Sequence, residues 1–250
     1  MNKGLITKGF ARTVKSYSAN ATIQKEMSRH LAQLIADYCL IHPTEILEIG
    51  CGTGFLTTEI LHKFPYSNFT INDINSEVEE SIKQIFVHAF LKPSFIFHDA
   101  ETFNFTQTYN LICSSSCFQW FTNQSKFFSN IAKHITKDGL FAFSTFGPEN
   151  MREIKATTTQ GLEYFTIEQY QTVLVPHFAT IYSHQDTITM YFPTAIDVLK
   201  HIKATGVNGA FCQHWTKGCL QEFSNNYERL KTDLGYPLTY HPIYFICKPL

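Results

Sequence analysis

The sequence predicts an α/β protein in which helices cover both faces of a doubly wound, mostly parallel sheet. Short apolar strands alternate with helical repeats as far as residue 146, which is the spacing of strand–helix–strand units. One glycine-rich segment joins the first strand to its helix, with the sequence ILEIGCGTGFLTTEI at 46–60. After residue 146 the alternation of strands and helices stops, and we predict an α+β cap inserted before the last strand.

The elements of the core follow in order along the chain. Residues 22–38 place their apolar side chains on one helical face. The strand EILEIG, the helix FLTTEILHKF and the strand NFTIND come next, followed by a helix that we expect to begin with Ser76 as its cap. Three further strands are predicted in the segments PSFIFHDAE, YNLICSS and GLFAFSTF.

The cap begins where this alternation stops. Residues 147–205 predict a helix, a β-rich stretch and a second helix, and 216–230 predict another helix before the closing strand TYHPIYFICK. We therefore expect a ligand-binding core over 1–146, a cap that holds the substrate over 147–235, and a returning core strand over 236–250.

Composition and charge limit the class of protein. The 250 residues are 44% hydrophobic and 16% charged, and the net charge of -1 gives no overall attraction to nucleic acid. The sequence shows neither a long apolar span nor a secretory signal at its start, so we expect no membrane partner. Seven scattered cysteines without a CxxC pair favour a reduced, cytoplasmic protein.

No metal site is expected. Cys212, His214 and Cys219 are candidate ligands by residue type. Their spacing matches no closed zinc pattern, and cysteine is often buried for its apolar character alone.

The glycine loop distinguishes two kinds of nucleotide site. Gly50, Gly52 and Gly54 form G-x-G-x-G, whereas a nicotinamide dinucleotide site has G-x-G-x-x-G; Phe55 and Thr57 stand where a third spaced glycine would fall. The pattern E-x-G-C-G-T-G instead resembles the first motif of class I S-adenosylmethionine-dependent methyltransferases. That resemblance implies their Rossmann-like fold.

Three acids follow three successive strands, at the sheet edge where open α/β proteins bind ligands. The resemblance implies that Glu48 accepts from nearby donors of the cofactor, Asp73 from the ribose hydroxyls and Asp99 from the adenine amine. The residues expected to contact S-adenosylmethionine are Tyr17, Gln24, Glu48, Gly50, Cys51, Gly52, Gly54, Asp73, Ile74, Asp99, Ala100 and Ser115.

Five further segments, in this order, resemble the malonyl-[acyl-carrier protein] O-methyltransferases of biotin synthesis. They are FARTVKSYSANATIQ (10–24), SSSCFQW (114–120), GLFAFSTF (139–146), PTAIDVLKHIKATGVN (193–208) and YPLTYH (236–241). The resemblance covers nearly the whole chain, and its most specific parts are YPLTYH and the QW pair. The sequence departs from the family at Asn110, where aspartate is usual, and at Ser115, where asparagine is common.

The resemblance implies a cytoplasmic enzyme that methylates the free carboxylate of malonyl-acyl-carrier protein or malonyl-coenzyme A. We expect the protein to be a monomer, although the sequence itself does not show its oligomeric state. A carboxyl group with a pKa near about 4 is ionised at neutral pH, so the reaction requires no general base. Catalysis then depends on the alignment of the carboxylate oxygen, the methyl group and the sulfur, and on the exclusion of water. The positioning residues that we expect are Tyr17, Gln119, Trp120, Tyr240 and His241. Tyr240 and Trp120 could each equally be packing residues, and without the resemblance His241 would be read as a hydrogen-bonded core histidine.

A basic surface is expected to receive the acidic carrier protein. Arg152 and Lys155 lie on one predicted helix, and Lys200 and Lys203 on another. A spacing of three residues puts each pair on one helical face. An ordinary solvated face is the alternative for each of these residues.

Two other functions remain open from the sequence. A related methyltransferase could act on another small carboxylic acid or on a quinone ring. A regulatory module could bind the cofactor without turnover, in which case the CFQW and YPLTYH segments would serve packing or an interface.

Overall fold

A computed structural model describes residues 17, 19–158, 161–205 and 216–250. The helices are α1 (Thr22–Tyr38), α2 (Phe55–Lys63), α3 (Glu79–Ile85), α4 (Gln124–Ile131), α5 (Arg152–Thr158), α6 (Ile167–Leu174), α7 (Ala195–Ala204) and α8 (Lys217–Tyr227). The strands are β1 (Glu45–Ile49), β2 (Asn68–Asp73), β3 (Ser94–Phe97), β4 (Tyr109–Ser115), β5 (Ile135–Phe146), β6 (Phe178–Gln185), β7 (Ile188–Phe192), β8 (Tyr236–Tyr240) and β9 (Pro242–Pro249).

The main sheet has seven strands in the order β3-β2-β1-β4-β5-β9-β6. Neighbours among β1 to β5 pair in parallel, whereas β9 runs antiparallel to both β5 and β6. The predicted doubly wound, mostly parallel sheet is confirmed. The strand order reverses direction between β1 and β4, which places a ligand crevice at their carboxyl ends.

Two apolar clusters cover the two faces of this sheet. Successive residues of β1 point to opposite sides, so Ile46 belongs to one cluster and Leu47 to the other. Met27 and Leu31 of α1 pack in the first cluster, and Phe128 of α4 packs in the second. Burial on both faces explains why the parallel strands are nearly continuous apolar runs.

The predicted cap region is interleaved with the sheet. Strand β6 lies within 147–235 yet forms the edge of the main sheet beside β9. Strands β7 and β8 pair in a separate two-stranded sheet, so the return to the main sheet begins at Pro242 and not at Tyr236. That residues 147–235 act as one substrate-holding unit stays a prediction.

The start of the helix after β2 differs from the expectation by one residue. Asn75, not Ser76, is the cap: its Oδ1 accepts a hydrogen bond of 3.0 Å from the backbone N–H of Glu77. A single turn of 3₁₀ helix, Ser76–Val78, precedes α3. Asparagine and serine are almost equally good caps, so composition alone could not separate them.

Asn110, one of the two departures from the family pattern, lies at the amino end of β4. Its Oδ1 accepts hydrogen bonds from the Thr44 N–H (3.1 Å), the Thr44 hydroxyl (2.8 Å) and the Glu45 N–H (3.0 Å). These bonds hold the chain where it enters β1. Because ligands bind at the opposite edge of a parallel sheet, this departure concerns folding and not the ligand site.

None of the helices in the described parts of the chain combines the length and the apolar character that a membrane crossing requires.

Candidate active site

A cavity of about 140 Å³ opens at the carboxyl ends of the parallel strands. It is lined by Glu48 at the end of β1, Asp73 at the end of β2, Asp99 beyond β3 and Ser115 at the end of β4. Helix α1 closes one side with Gln24. All the residues expected to contact a cofactor line this cavity except Gly54.

The glycine loop is fixed to the end of β2 by its backbone. The N–H groups of Gly50 and Cys51 both donate to the Asn72 carbonyl, at 2.9 and 3.1 Å. The N–H of Gly52 donates to Asp73 Oδ2 at 2.9 Å. The loop therefore lies flat against β2, and its open side faces the cavity.

Gly50 and Gly54 of the loop must be glycine for different structural reasons. Gly50 has a φ of 68°, and a Cβ at this position would overlap the Cys117 thiol. Gly54 has a φ of 86°, and a Cβ there would meet Ile82 and Ile85 of α3. Gly54 thus makes room for helix packing and is not among the residues that line the cavity, although its neighbours Thr53 and Phe55 are. Its contact with a cofactor stays a prediction.

Asp73 retains acceptor capacity toward the cavity. Its Oδ2 accepts from Gly52, and its Oδ1 accepts from the Asn75 N–H at 2.9 Å. A carboxylate offers about four lone-pair sites, so these two backbone donors and the Cys51 thiol, 3.8 Å from Oδ2, leave room for a further donor from a ligand. Burial raises the pKa of Asp73, while the backbone donors oppose that rise.

Several buried polar atoms around the cavity lack partners. Within the described residues, the unpaired buried atoms that belong to lining residues are Gln24 Oε1, Glu48 Oε2, Thr53 Oγ1 and Asn75 Nδ2. Folded proteins leave few buried polar groups unpaired. Their concentration at one cavity indicates a polar ligand that supplies the missing partners, and two of the atoms are acceptors that suit a cationic donor.

Glu48 is the most perturbed of the acids in this cavity. It is 2% exposed, and burial raises the pKa of its carboxyl group to about 8. The carboxyl group is therefore mostly protonated at neutral pH, and a cation placed beside it would favour the ionised form.

A second, smaller cavity adjoins the first. Tyr17, Gln24, Ser116 and Trp120 line both cavities, so they form the junction. The rest of its lining comes from core and cap. It comprises three apolar residues, Phe146, Met151 and Leu162, and five polar ones, Gln119, Asn150, Tyr164, Thr205 and Tyr240. None of the described residues that line this inner cavity carries a side-chain charge at neutral pH.

Four of the five predicted positioning residues line the inner cavity. Tyr17 stacks on Phe55 with ring centroids 5.8 Å apart, and Tyr240 is fully buried with its hydroxyl 2.8 Å from His201 Nε2. The amide of Gln119 donates to the Ser116 carbonyl at 2.7 Å. These contacts fix the side chains; their catalytic roles stay predictions.

His241 does not join the other four residues. Its Nδ1 accepts from the Glu149 N–H at 3.1 Å, which makes Nε2 the protonated nitrogen that donates to Gln185 Oε1 at 3.2 Å. Burial lowers the pKa of the ring. Neighbouring residues of an extended chain point to opposite sides, so Tyr240 faces the inner cavity while His241 supports the turn after β5.

The four basic residues expected to dock a carrier are partly engaged within the chain. Arg152 pairs with Glu149 at 3.0 Å and with Glu153 at 3.4 Å, and Lys200 pairs with Asp197 at 2.8 Å. The remaining two residues, Lys155 and Lys203, are exposed. Glu153 is buried, whereas all four basic side chains are at the surface, where ion pairs contribute little. A docking role stays a prediction.

Sequence reasoning missed Asn150 and Tyr164 in the inner cavity. Asn150 lies in a turn and Tyr164 in a loop of the cap, so neither has a periodic pattern or a strand end to mark it. Cys212 and His214 lie outside the described residues. In the part of the chain that is described, no three His, Cys, Asp or Glu side chains are grouped to hold a metal.

Known proteins with similar sequences identify the family. A family model described as a methyltransferase domain matches residues 46–139. The chain is 37% identical over 254 residues to the malonyl-[acyl-carrier protein] O-methyltransferase of Acinetobacter baylyi, covering 99% of this chain and 97% of that relative. This chain belongs to the malonyl-[acyl-carrier protein] O-methyltransferase family.

A second member of the malonyl-[acyl-carrier protein] O-methyltransferase family, from Bacteroides helcogenes, is 35% identical to this chain over 271 residues. The alignment covers 99% of this chain and 99% of that relative. Solved structures with much lower sequence identity share the fold. The N-methyltransferase NodS of Bradyrhizobium japonicum, solved in complex with S-adenosylhomocysteine, is 12% identical with a TM-score of 0.59, and 98% of each chain is covered. The class I methyltransferase fold predicted from the glycine loop is thus confirmed.

The raised pKa of Glu48 gives a testable effect on stability. Because the folded protein holds this proton up to about pH 8 while the unfolded chain loses it near 4.5, the free energy of unfolding falls as the pH rises between these values. We expect Glu48→Gln to stabilise the protein at about pH 7, relative to its effect at about pH 4.5, by roughly 3 kcal/mol.

Denaturant unfolding of wild type and Glu48→Gln at both pH values measures this difference. Glu222→Gln, a change at an exposed acid of α8, is the matched control and should show no such pH dependence. A constant difference between wild type and Glu48→Gln across this range would mean that Glu48 is ionised in the folded protein.

Proposed function

We propose that this protein transfers the methyl group of S-adenosylmethionine to the free carboxylate of a malonyl thioester, with malonyl-acyl-carrier protein or malonyl-coenzyme A as substrate. Relatives named malonyl-[acyl-carrier protein] O-methyltransferase over the full length support the substrate class. The observation that carries the proposal is the pair of adjoining cavities, one rimmed by acids at strand ends and the other lined by uncharged residues that include several hydrogen-bonding groups.

The outer cavity fits S-adenosylmethionine in its hydrogen-bonding groups. Gln24 Oε1 and Glu48 Oε2 are buried acceptors that suit the ammonium group of the methionine part. Asp73 has acceptor capacity for the ribose hydroxyls, and Asp99 would accept from the adenine amine. The bound compound supplies a methyl group made electrophilic by a positively charged sulfur.

The inner cavity fits a carboxylate nucleophile. A malonyl carboxylate oxygen attacks the methyl carbon, the carbon–sulfur bond breaks, and its electron pair remains on the sulfur of S-adenosylhomocysteine. No proton moves in this step, so the absence of ionised side chains among the described residues that line the inner cavity is compatible with it. Positioning at the junction beside Tyr17 and Trp120 replaces acid–base chemistry.

Neutral donors also suit the change of charge during transfer. The negative charge on the attacking oxygen decreases as the new bond forms. A close cation would stabilise the free carboxylate more than the transition state and would slow the reaction, whereas tyrosine and amide groups orient the anion with a smaller penalty.

The product can enter an apolar environment that the substrate cannot. Burying a bare carboxylate without partners costs several kcal/mol or more. A methyl ester carries no such charge, so enzymes that elongate fatty acyl chains could accept it. In this way the ester would prime the synthesis of the pimeloyl chain of biotin.

The proposed reaction is tested by mass spectrometry of malonyl-acyl-carrier protein after incubation with the protein and S-adenosylmethionine. We expect the malonyl group to gain the mass of one methylene unit. Acetyl-acyl-carrier protein, which has no free carboxylate, should gain nothing. If neither malonyl-acyl-carrier protein nor malonyl-coenzyme A is methylated by protein that binds S-adenosylhomocysteine, the acceptor is a different compound.

The proposed cofactor contact is tested by Asp73→Ala. Loss of hydrogen bonds to a charged group should weaken S-adenosylhomocysteine binding by about ten- to a hundred-fold in titration calorimetry. Asp138→Ala, at an exposed acid near the amino end of β5, is the control and should bind like wild type. Unchanged affinity in folded Asp73→Ala would exclude Asp73 as the ribose acceptor.

A further inference from the structure

Asn150 and Tyr164 form a hydrogen-bonded pair in the inner cavity. Asn150 follows β5 in a tight turn and is 5% exposed, and its Nδ2 lies 2.9 Å from the Tyr164 hydroxyl. Its Oδ1 lies 3.4 Å from the backbone nitrogen of His241. Both side chains line the inner cavity, where the acceptor carboxylate would lie.

The backbone N–H of His241 determines which of Asn150 and Tyr164 donates the hydrogen bond between them. A backbone N–H can only donate, so the Asn150 atom that faces it must be the amide oxygen. The amide nitrogen then faces Tyr164 and donates to its hydroxyl oxygen. The Tyr164 hydroxyl is therefore the acceptor in this pair, and its own proton remains available for another acceptor.

No described residue takes that proton, since Asn150 is the only hydrogen-bond partner that the described part of the chain gives the Tyr164 hydroxyl. Tyr240 differs in this respect. Its hydroxyl lies 2.8 Å from His201 Nε2, a nitrogen that can either accept its proton or donate to its oxygen. Both tyrosines line the cavity, and Tyr164 is the one whose proton has no acceptor among the described residues.

We propose that Tyr164 donates a hydrogen bond to one oxygen of the substrate carboxylate, and that Asn150 is the positioning residue that keeps the Tyr164 proton directed to the cavity. This inference rests on the proposed function, because the acceptor is the malonyl carboxylate. A hydrogen bond to one oxygen leaves the second oxygen free to attack the methyl carbon. Tyr164 would then be a catalytic residue supplied by the cap.

Burial supports this donor role because it raises the pKa of Tyr164 to about 12, although the hydrogen bond from Asn150 opposes the rise. The hydroxyl therefore keeps its proton throughout the neutral range. It can orient the carboxylate without adding a charge to the cavity.

The inference is tested with Tyr164→Phe, which removes one hydroxyl and retains the ring. We expect kcat/KM for malonyl-coenzyme A to fall by about ten- to a hundred-fold, because a hydrogen bond to a charged group is lost. Binding of S-adenosylhomocysteine should not change. Tyr66→Phe, which alters an exposed tyrosine distant in sequence from the cap, is the matched control and should behave like wild type.

A second measurement separates contact with the carboxylate from a structural role. With S-adenosylhomocysteine bound, no methyl transfer occurs, and the affinities for malonyl-coenzyme A and acetyl-coenzyme A can be compared directly. Tyr164→Phe should weaken only the malonyl compound. An equal loss for both compounds, or no loss for either, would overturn the proposal.

Asn150→Ala tests the positioning role through the same comparison. It should lower malonyl turnover in the wild-type background and much less in the Tyr164→Phe background, because contacting residues are not additive. Equal losses in both backgrounds would show that Asn150 acts independently of Tyr164. If Tyr164→Phe fails to fold by circular dichroism, selective loss of malonyl binding in Asn150→Ala supports the pair, and an unselective loss rejects it.

The outcomes distinguish the two proposals. If wild type methylates no malonyl thioester, the proposed function fails, whatever the variants do. If wild type is active and Tyr164→Phe retains its kcat/KM, the function stands and the role of Tyr164 is wrong.

Discussion

The attachment of the glycine loop to the end of β2 is the constraint on which the ligand site depends. The Asn72 carbonyl accepts the first two N–H groups of the loop, and the Asn72 side chain donates to the carbonyls of Ile96 and His98 at 2.8 and 2.9 Å. One buried asparagine thus joins the ends of β1, β2 and β3. Because these ends are joined, Glu48, Asp73 and Asp99 lie around one cavity with fixed spacing.

The inner cavity depends on a different junction, at the break between β8 and β9. The His241 carbonyl accepts from the Gly147 N–H at 2.8 Å, and its ring accepts from the Glu149 N–H. These bonds hold the turn that carries Asn150, and Asn150 in turn holds Tyr164. A substitution of His241 would therefore change the inner cavity by displacing this turn, although the His241 ring lines neither cavity.

The sequence predicts the outer cavity well because simple rules place it. Apolar runs mark the parallel strands, and acids at strand ends converge at one edge of such a sheet. The inner cavity escapes these rules. Asn150 and Tyr164 lie in a turn and a loop, where the hydrogen bonds of Asn150 with Tyr164 and with the His241 backbone, and not a local pattern, hold them in position. The edge position of β6 and the packing role of Gly54 likewise depend on tertiary neighbours, which are β9 for the strand and α3 for the glycine.

Methylation of a carboxylate without a general base is tested most directly by the pH dependence of the single-turnover rate. With S-adenosylmethionine and malonyl-acyl-carrier protein both saturating, the rate should change by less than about two-fold from about pH 6 to about pH 9, because the carboxylate is ionised throughout. A rise of about ten-fold per pH unit toward a plateau would reveal a titrating base and would contradict the mechanism.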